Sequence, residues 1–240
     1  MNPSDKEEVL VAIDYARKHK KVIAQKYTDV SVYLPEEFPI SVFMAGSPGA
    51  GKTESAKLLI AEVSAEYKIL RIDSDELRRE FDGYNGNNSS LYQYPTSILA
   101  DKMHDLAIKN NQSFIFDGTL TNYKRAKENT ERSLQRKYKR DVYIVYVYQD
   151  PIQAWRFVCN RKVKDGRDVP AEVFVEQYFT ARNNVNQLKS LFGGKIQVDL
   201  VVKNIDGTDY KYKENITSID SYIKEIYSKD SLMLALQKNV

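Results

Sequence analysis

The stretch Ile40-Ser41-Val42-Phe43-Met44-Ala45-Gly46-Ser47-Pro48-Gly49-Ala50-Gly51-Lys52-Thr53 decides the fold. Its first six residues are short, apolar and β-rich, the composition of a parallel strand buried on both faces. The next eight match G-x-x-x-x-G-K-[ST], the P-loop pattern in which backbone N–H groups turn inward around phosphates. Beyond it, Ala56, Leu59, Ile60 and Val63 recur at the spacing of a helix laid against a sheet. Strand, glycine loop and helix in that order are the context that makes the pattern specific. Gly46, Gly49 and Gly51 let the backbone approach phosphate closely, and the helix start near Lys52 adds its positive dipole end. Lys52 is placed to reach the β- and γ-phosphates and the Thr53 hydroxyl to ligate Mg²⁺. The stretch therefore predicts a nucleoside triphosphate such as ATP, with Mg²⁺.

The same alternation runs outward. A helix is expected over 5–27, with Leu10, Ile13, Ala16 and Tyr27 among its apolar positions and the basic run Arg17–Lys21 as a solvated face. Pro35 and Pro39 then break the chain before the core. After the P-loop helix, Ile69–Ile72 reads as a second strand ending at Asp73-Ser74-Asp75, and a Gly/Asn-rich loop at 82–88 leads to a helix near 95–109. Ser113–Phe116 is a third strand ending at Asp117-Gly118-Thr119, a charged helix covers roughly 122–138, and Val142–Tyr148 is a fourth strand. Helices follow after Pro151, with Ile152, Trp155 and Cys159 on one side, and near 171–191, where Phe174, Tyr178, Ala181, Val185 and Leu188 share a face. Gln197–Val202 is a last strand, with helical residues after it. The expectation is an α/β P-loop kinase-like parallel sheet with helices on both faces, plus N- and C-terminal helices. We read one domain over 1–240: an extension to 39, a nucleotide-binding core over 40–203 and C-terminal helices from 204.

Ligands of open α/β sheets collect beyond the carboxyl ends of the strands. Asp73, Asp75 and Asp117 fall there. Asp75 is the choice to accept the proton of an attacking hydroxyl, with Asp73 as the alternative; capping of the short segment Glu76–Arg79 is the structural role open to Asp75. Asp117 can orient Mg²⁺ or a water on it, or can simply make an Asp-Gly turn, and Thr119 could cap the next helix. The cation-rich segment 161–170 reads as a mobile lid, with Gly166 as hinge and Arg161 and Arg167 closing on the γ-phosphate. His19 and His104 lack partners at metal-ligand or triad spacing.

Composition bounds the rest. The 240 residues are 42% hydrophobic and 29% charged, with 36 basic against 33 acidic side chains, a net charge of +3. So small a surplus argues against a dedicated nucleic-acid face. The single cysteine, Cys159, can form no intrachain disulfide and reads as a small apolar residue. No run approaches the ~20 apolar residues of a membrane span, and the polar N-terminus has no signal-peptide core, so a cytoplasmic protein is expected.

With these blocks in order — the P-loop, Ile72-Asp73-Ser74-Asp75-Glu76-Leu77-Arg78, Phe116-Asp117-Gly118-Thr119, and Arg161 and Arg167 before Val169-Pro170 — the chain resembles the zeta toxin family of bacterial P-loop kinases over roughly 40–190. The resemblance implies ATP-dependent phosphorylation of a sugar hydroxyl of UDP-N-acetylglucosamine. It implies Asp75 as base, Lys52 as phosphate-binding lysine, Arg161 and Arg167 as charge-neutralising arginines and Asp101 as a substrate-contacting acid. It also implies an antitoxin partner that obstructs the nucleotide site. Two positions depart: Asp117 stands where the family commonly has Glu, and Leu120, Thr121 and Asn122 follow Thr119 where it has a basic residue. A kinase of a nucleoside, dinucleotide or polynucleotide hydroxyl is the alternative. A nucleotide-dependent switch is another, although its GTPase form lacks an Asn-Lys-x-Asp motif.

Overall fold

The computed structural model describes residues 3–63, 68–135, 140–166, 168–204 and 210–238. Strand β1 (Ile40–Ala45) lies inside a six-stranded sheet, paired in parallel with β3 (Phe114–Asp117) and β4 (Asp141–Tyr148). Beyond β3 lies β2 (Leu70–Asp73), and beyond β4 lies β5 (Gln197–Lys203), both parallel to their neighbours. With the edge strand β6 (Tyr210–Lys213), the order β2-β3-β1-β4-β5-β6 departs in opposite directions from β1. Such a reversal opens a crevice at the carboxyl ends of the strands, where the P-loop sits.

The two-residue strand period sorts the core into layers. Phe43, Leu70, Ile72, Phe114, Ile144, Tyr146 and Leu200 face one cluster. Val42, Met44, Ile115, Val145, Val147 and Val201 face another, with Ala56, Leu59 and Ile60 of helix α2 (Lys52–Val63) packed on it. Parallel strands covered on both faces read as the near-continuous apolar runs seen in the sequence.

Helix α1 (Pro3–Tyr27) packs against α4 (Gln93–Lys109) through Ala12, Ala16, Ile23 and Ala24. Small alanines let the two helix axes approach, and Leu10, one of the apolar positions read in the sequence, is 66% exposed. Beyond β2 come the single-turn helix α3 (Ser74–Leu77) and a 3₁₀ turn over Arg78–Glu80. Helix α5 (Tyr123–Leu134) starts at an Asn122 cap, not at Thr119, because the Asn122 side chain accepts from the Arg125 N–H. Residues 136–138 of the expected helix lie outside the described residues.

Helix α6 (Pro151–Asp165) and α7 (Ala171–Phe192) join the fourth strand to the fifth. Phe174, Tyr178, Ala181, Val185 and Leu188 are all buried on the predicted face. Cys159 is half-buried beside the Trp155–Phe174 cluster.

The C-terminal reading needs correction. Tyr210–Lys213 forms β6, antiparallel to β5, and among the described residues beyond it only α8 (Lys229–Lys238) is a helix of length. The intervening chain is held by ionic ties: Arg182 Nε donates to Asp220 at 2.5 Å and Nη1 to Glu225 at 3.1 Å. Alternating Tyr and Lys over four residues is too short a period to identify the strand, whose ladder depends on Leu200 to Lys203 of β5.

Candidate functional site

The P-loop is shaped by contacts that only glycine permits. Gly46 has φ +136° and Gly49 φ +73°. A Cβ on Gly46 would lie 2.4 Å from the Val147 carbonyl oxygen, and one on Gly49 2.1 Å from that of Ala154. The loop is thus pressed against the exit of β4 and the first turn of α6, and a side chain at either position would push it away. Ser47 and Ala50 are buried, Pro48 and Gly51 half-buried, and the Ala50 N–H donates to Ser47 O at 3.2 Å. Lys52 Nζ spans the loop to donate to Ser47 O at 2.6 Å.

Two contacts tie the loop to the end of β3. The Thr53 hydroxyl donates to Asp117 Oδ2 at 3.0 Å, and the Gly46 N–H donates to the Thr119 carbonyl at 3.3 Å. Asp117 and Asp73 are register partners at the ends of β3 and β2. Between them lies Arg71, whose Nη2 reaches Asp73 at 2.6 Å and Asp117 at 2.7 Å, while Nη1 reaches Glu76 at 3.0 Å. A hydroxyl and a carboxylate on one spot supply the hard oxygen ligands that Mg²⁺ takes alongside phosphate.

The two second-strand aspartates separate by role. Asp73 caps α3 by accepting from the Asp75 N–H at 2.8 Å, so the capping open to Asp75 falls to its neighbour. Asp75 is left with its carboxylate turned outward, 36% exposed, between Arg78 Nη1 at 2.5 Å and Arg161 Nη2 at 3.7 Å. Asp73 is buried, and its carboxyl is pushed up to about 6 by that burial first and then by the charge of Asp75, against the pull of Arg71 and the Asp75 N–H.

A raised carboxyl binds protons in the folded chain that the unfolded chain has released. Stability from Asp73 is therefore full below the ordinary value of 3.8 and is lost as pH rises through about 6. Asp73→Asn keeps a capping acceptor and removes this titration. Its melting temperature relative to the wild type should climb between about pH 4 and about pH 7; a flat difference across that window would contradict the assignment.

The first half of the segment expected to be a lid is helix. Arg161 stands on the last turns of α6, which continues to Asp165. Gly166 ends it in the left-handed conformation, φ +69°, with its N–H on Lys162 O. A Cβ there would meet Asn87 Oδ1 at 1.9 Å, so Gly166 is a packed helix cap, not a free hinge. Arg167 lies outside the described residues.

Asp101, on α4, is paired with α5. Arg125 of α5 donates to it at 2.6 Å and to Ser97 Oγ at 3.1 Å. Burial lifts the Asp101 carboxyl, with Arg125 and Arg132 opposing. The pair lines a cleft of about 330 Å³ together with Asn129 and Arg132.

Sequence reasoning passed over Arg71, Arg78 and Arg125. Arg71 had a signal: it lies two residues before Asp73 on a strand, hence on the same side. Arg78 lay within the quoted block, three residues after Asp75, where a helical turn brings the two together. Arg125 had none, because its partner is on another helix. The backbone conformation of Leu120 also had no signal in the sequence. Its φ of +58° is costly for a bulky residue, and Asn184 Nδ2 holds its carbonyl at 2.9 Å, directly after Thr119.

A family model described as Zeta toxin matches residues 24–217. No curated protein sequence matches the chain. Among solved structures, that of the PezAT chromosomal toxin–antitoxin system of the human pathogen Streptococcus pneumoniae is similar at 15% identity with a TM-score of 0.65, covering 94% of each chain. The AvrRxo1-ORF1:AvrRxo1-ORF2 structure with sulphate ions is similar at 13% identity and TM-score 0.55, covering 99% of this chain and 86% of that one. The form with ATP gives 14% and 0.53, covering 89% and 67%. At these identities the likeness is one of fold. Among the described residues no helix is long and apolar enough to cross a membrane.

Proposed function

Because the chain belongs to the zeta toxin family, we propose that it is a kinase that transfers the γ-phosphoryl group of ATP to a hydroxyl of a nucleotide sugar, UDP-N-acetylglucosamine being the acceptor that membership implies. The observation that carries the reading is Asp75. Its carboxylate stands between Arg78 and Arg161 at the strand-end edge that also bears the P-loop. ATP as donor is supported by the P-loop and by the ATP complex of AvrRxo1-ORF1:AvrRxo1-ORF2.

In the reaction the acceptor oxygen bonds to the γ-phosphorus as its proton passes to Asp75, and the bond from the γ-phosphorus to the bridging oxygen breaks to release ADP. Lys52 moves from the Ser47 carbonyl to the β- and γ-phosphates, joining the loop N–H groups. Arg161 and Arg167 neutralise the charge that develops on the transferring group. Thr53, with Asp117 beside it, would hold Mg²⁺, whose charge would neutralise the phosphate oxygens. Asp101, Asp117 and Thr119 contact the acceptor. Asp117 is short for the family, and Arg125 supplies near Asp101 a guanidinium where the residues just after Thr119 have none. An antitoxin that covers the nucleotide site is the expected protein partner, in keeping with the family and with PezAT.

The test is incubation with γ-labelled ATP, Mg²⁺ and a panel of UDP-sugars, dinucleotides and oligonucleotides. Label should appear on a UDP-sugar. Label confined to oligonucleotides would sink the nucleotide-sugar reading, and slow hydrolysis with every acceptor would favour a switch.

A further inference from the structure

Lys52 is not the only lysine at the phosphate loop. Strand β5 ends at Lys203, whose Cε and Nζ each lie 3.0 Å from the position a Cβ on Gly51 would occupy. Gly51 is the last glycine of the loop, with φ +85°, and its carbonyl accepts the Ser55 N–H in the first turn of α2. The ammonium of Lys203 is thus laid against the glycine that opens the phosphate-facing helix. The strand end that carries it is fixed on both sides. Gln149 Nε2 donates to the Asn204 carbonyl at 3.3 Å, and Lys203 is the register partner of Tyr210 in β6.

The order of the strands says which end of a nucleotide this lysine faces. Asp73 and Asp75 come from the exit of β2, and Asp117 from that of β3, on one side of β1. The acceptor hydroxyl and the γ-phosphate belong on that side, beside the proposed base. Strands β4 and β5 lie on the other side of β1. The remainder of the nucleotide leads away from the transferred group, toward β5.

We propose that Lys203 is a nucleotide-binding residue that holds the α/β-phosphate end of the donor and takes no part in gripping the γ-phosphate. The inference rests on the kinase reading above and deepens it. A cation in that place attracts the two phosphates that ATP and ADP share, so it acts on donor and product alike. Its contact with Gly51 also explains why that position carries no side chain: a Cβ would displace the Lys203 ammonium as well as strain the backbone.

The experiment is calorimetric titration of the full chain with Mg-ATP and with Mg-ADP, for the wild type, Lys203→Met and Lys203→Arg. Loss of one charge-assisted contact should raise the Kd of both nucleotides about tenfold in the Met variant, with the ATP-to-ADP ratio unchanged. The Arg variant, which keeps the charge, should stay within about threefold of the wild type. Melting temperatures without nucleotide are measured in parallel. An Met variant that binds both nucleotides as the wild type does overturns the inference, whether or not its melting temperature falls. So does an Arg variant as impaired as the Met one, which would make the side chain a packing element. Weakening confined to ATP would place Lys203 at the γ-phosphate and overturn the assignment of the end. A wild type that binds neither nucleotide overturns the kinase reading itself, a result distinct from all of these.

Discussion

Asp75→Asn is expected to slow phosphoryl transfer by about 10²–10⁴-fold, the usual contribution of a positioned general base, while Mg-ATP still binds. The substitution is nearly isosteric, so Arg78 and Arg161 keep a hydrogen-bonding partner at the same place. The side chain makes no cap, since Asp73 accepts the helix N–H, and the short helix should survive the change. What is lost is the ability to take a proton from the acceptor hydroxyl. Single-turnover transfer with saturating ATP, measured beside ATP binding, reads the two effects separately. Turnover within about threefold of the wild type would remove Asp75 from the role of base and return it to Asp73, the other carboxylate at this edge. Equal loss of ATP binding would instead make Asp75 part of the phosphate cradle.

Lys52→Met should be as damaging to turnover and should also weaken ATP. The Lys52 ammonium reaches across the loop to Ser47 O, a position from which the β- and γ-phosphates would draw it. Removing it deletes a charge-assisted donor that strengthens as the γ-phosphoryl group leaves, worth about 10²–10³-fold in rate for a comparable donor. Lys52→Arg should not restore function, because a planar guanidinium cannot replace a compact ammonium in a closed loop. Melting temperature should change little, since Lys52 is half-exposed at a helix start. Normal transfer by Lys52→Met would refute the phosphate role of the P-loop, whereas a large fall in stability would mean that its bond to Ser47 shapes the loop.

The different fates of Asp75 and Arg161 show how much of the site could be read along the chain. Asp73, Asp75 and Asp117 were legible because each ends a short apolar run, and carboxyl ends of parallel strands must gather at one edge. Their division of labour was not. Whether Asp73 or Asp75 caps the next turn depends on backbone angles at a single residue, with Asp73 in an extended conformation. Arg161 was read as part of a loop because lysine, aspartate and glycine cluster after it. Helix α6 nonetheless continues to Asp165, since nothing in Arg161-Lys162-Val163-Lys164 stops a helix before Gly166 does. The 3.7 Å approach of Arg161 to Asp75 joins residues 86 positions apart, and no local pattern reports it.

The sequence by itself determined the phosphate cradle. Gly46 to Thr53 is a local structure, set by backbone conformations that glycine permits and by a strand and helix directly attached to it. Periodicity likewise settled the buried face of α7 and the alternation that builds the sheet. The tertiary structure alone decided that Arg71 bridges Asp73 and Asp117, that Arg125 pairs with Asp101, and that Lys203 lies against Gly51. It also decided that Tyr210–Lys213 is a strand and that Leu10 faces outward. The physical reason is common to all of them. These contacts join segments far apart in the chain, so their energies depend on partners brought near only by folding.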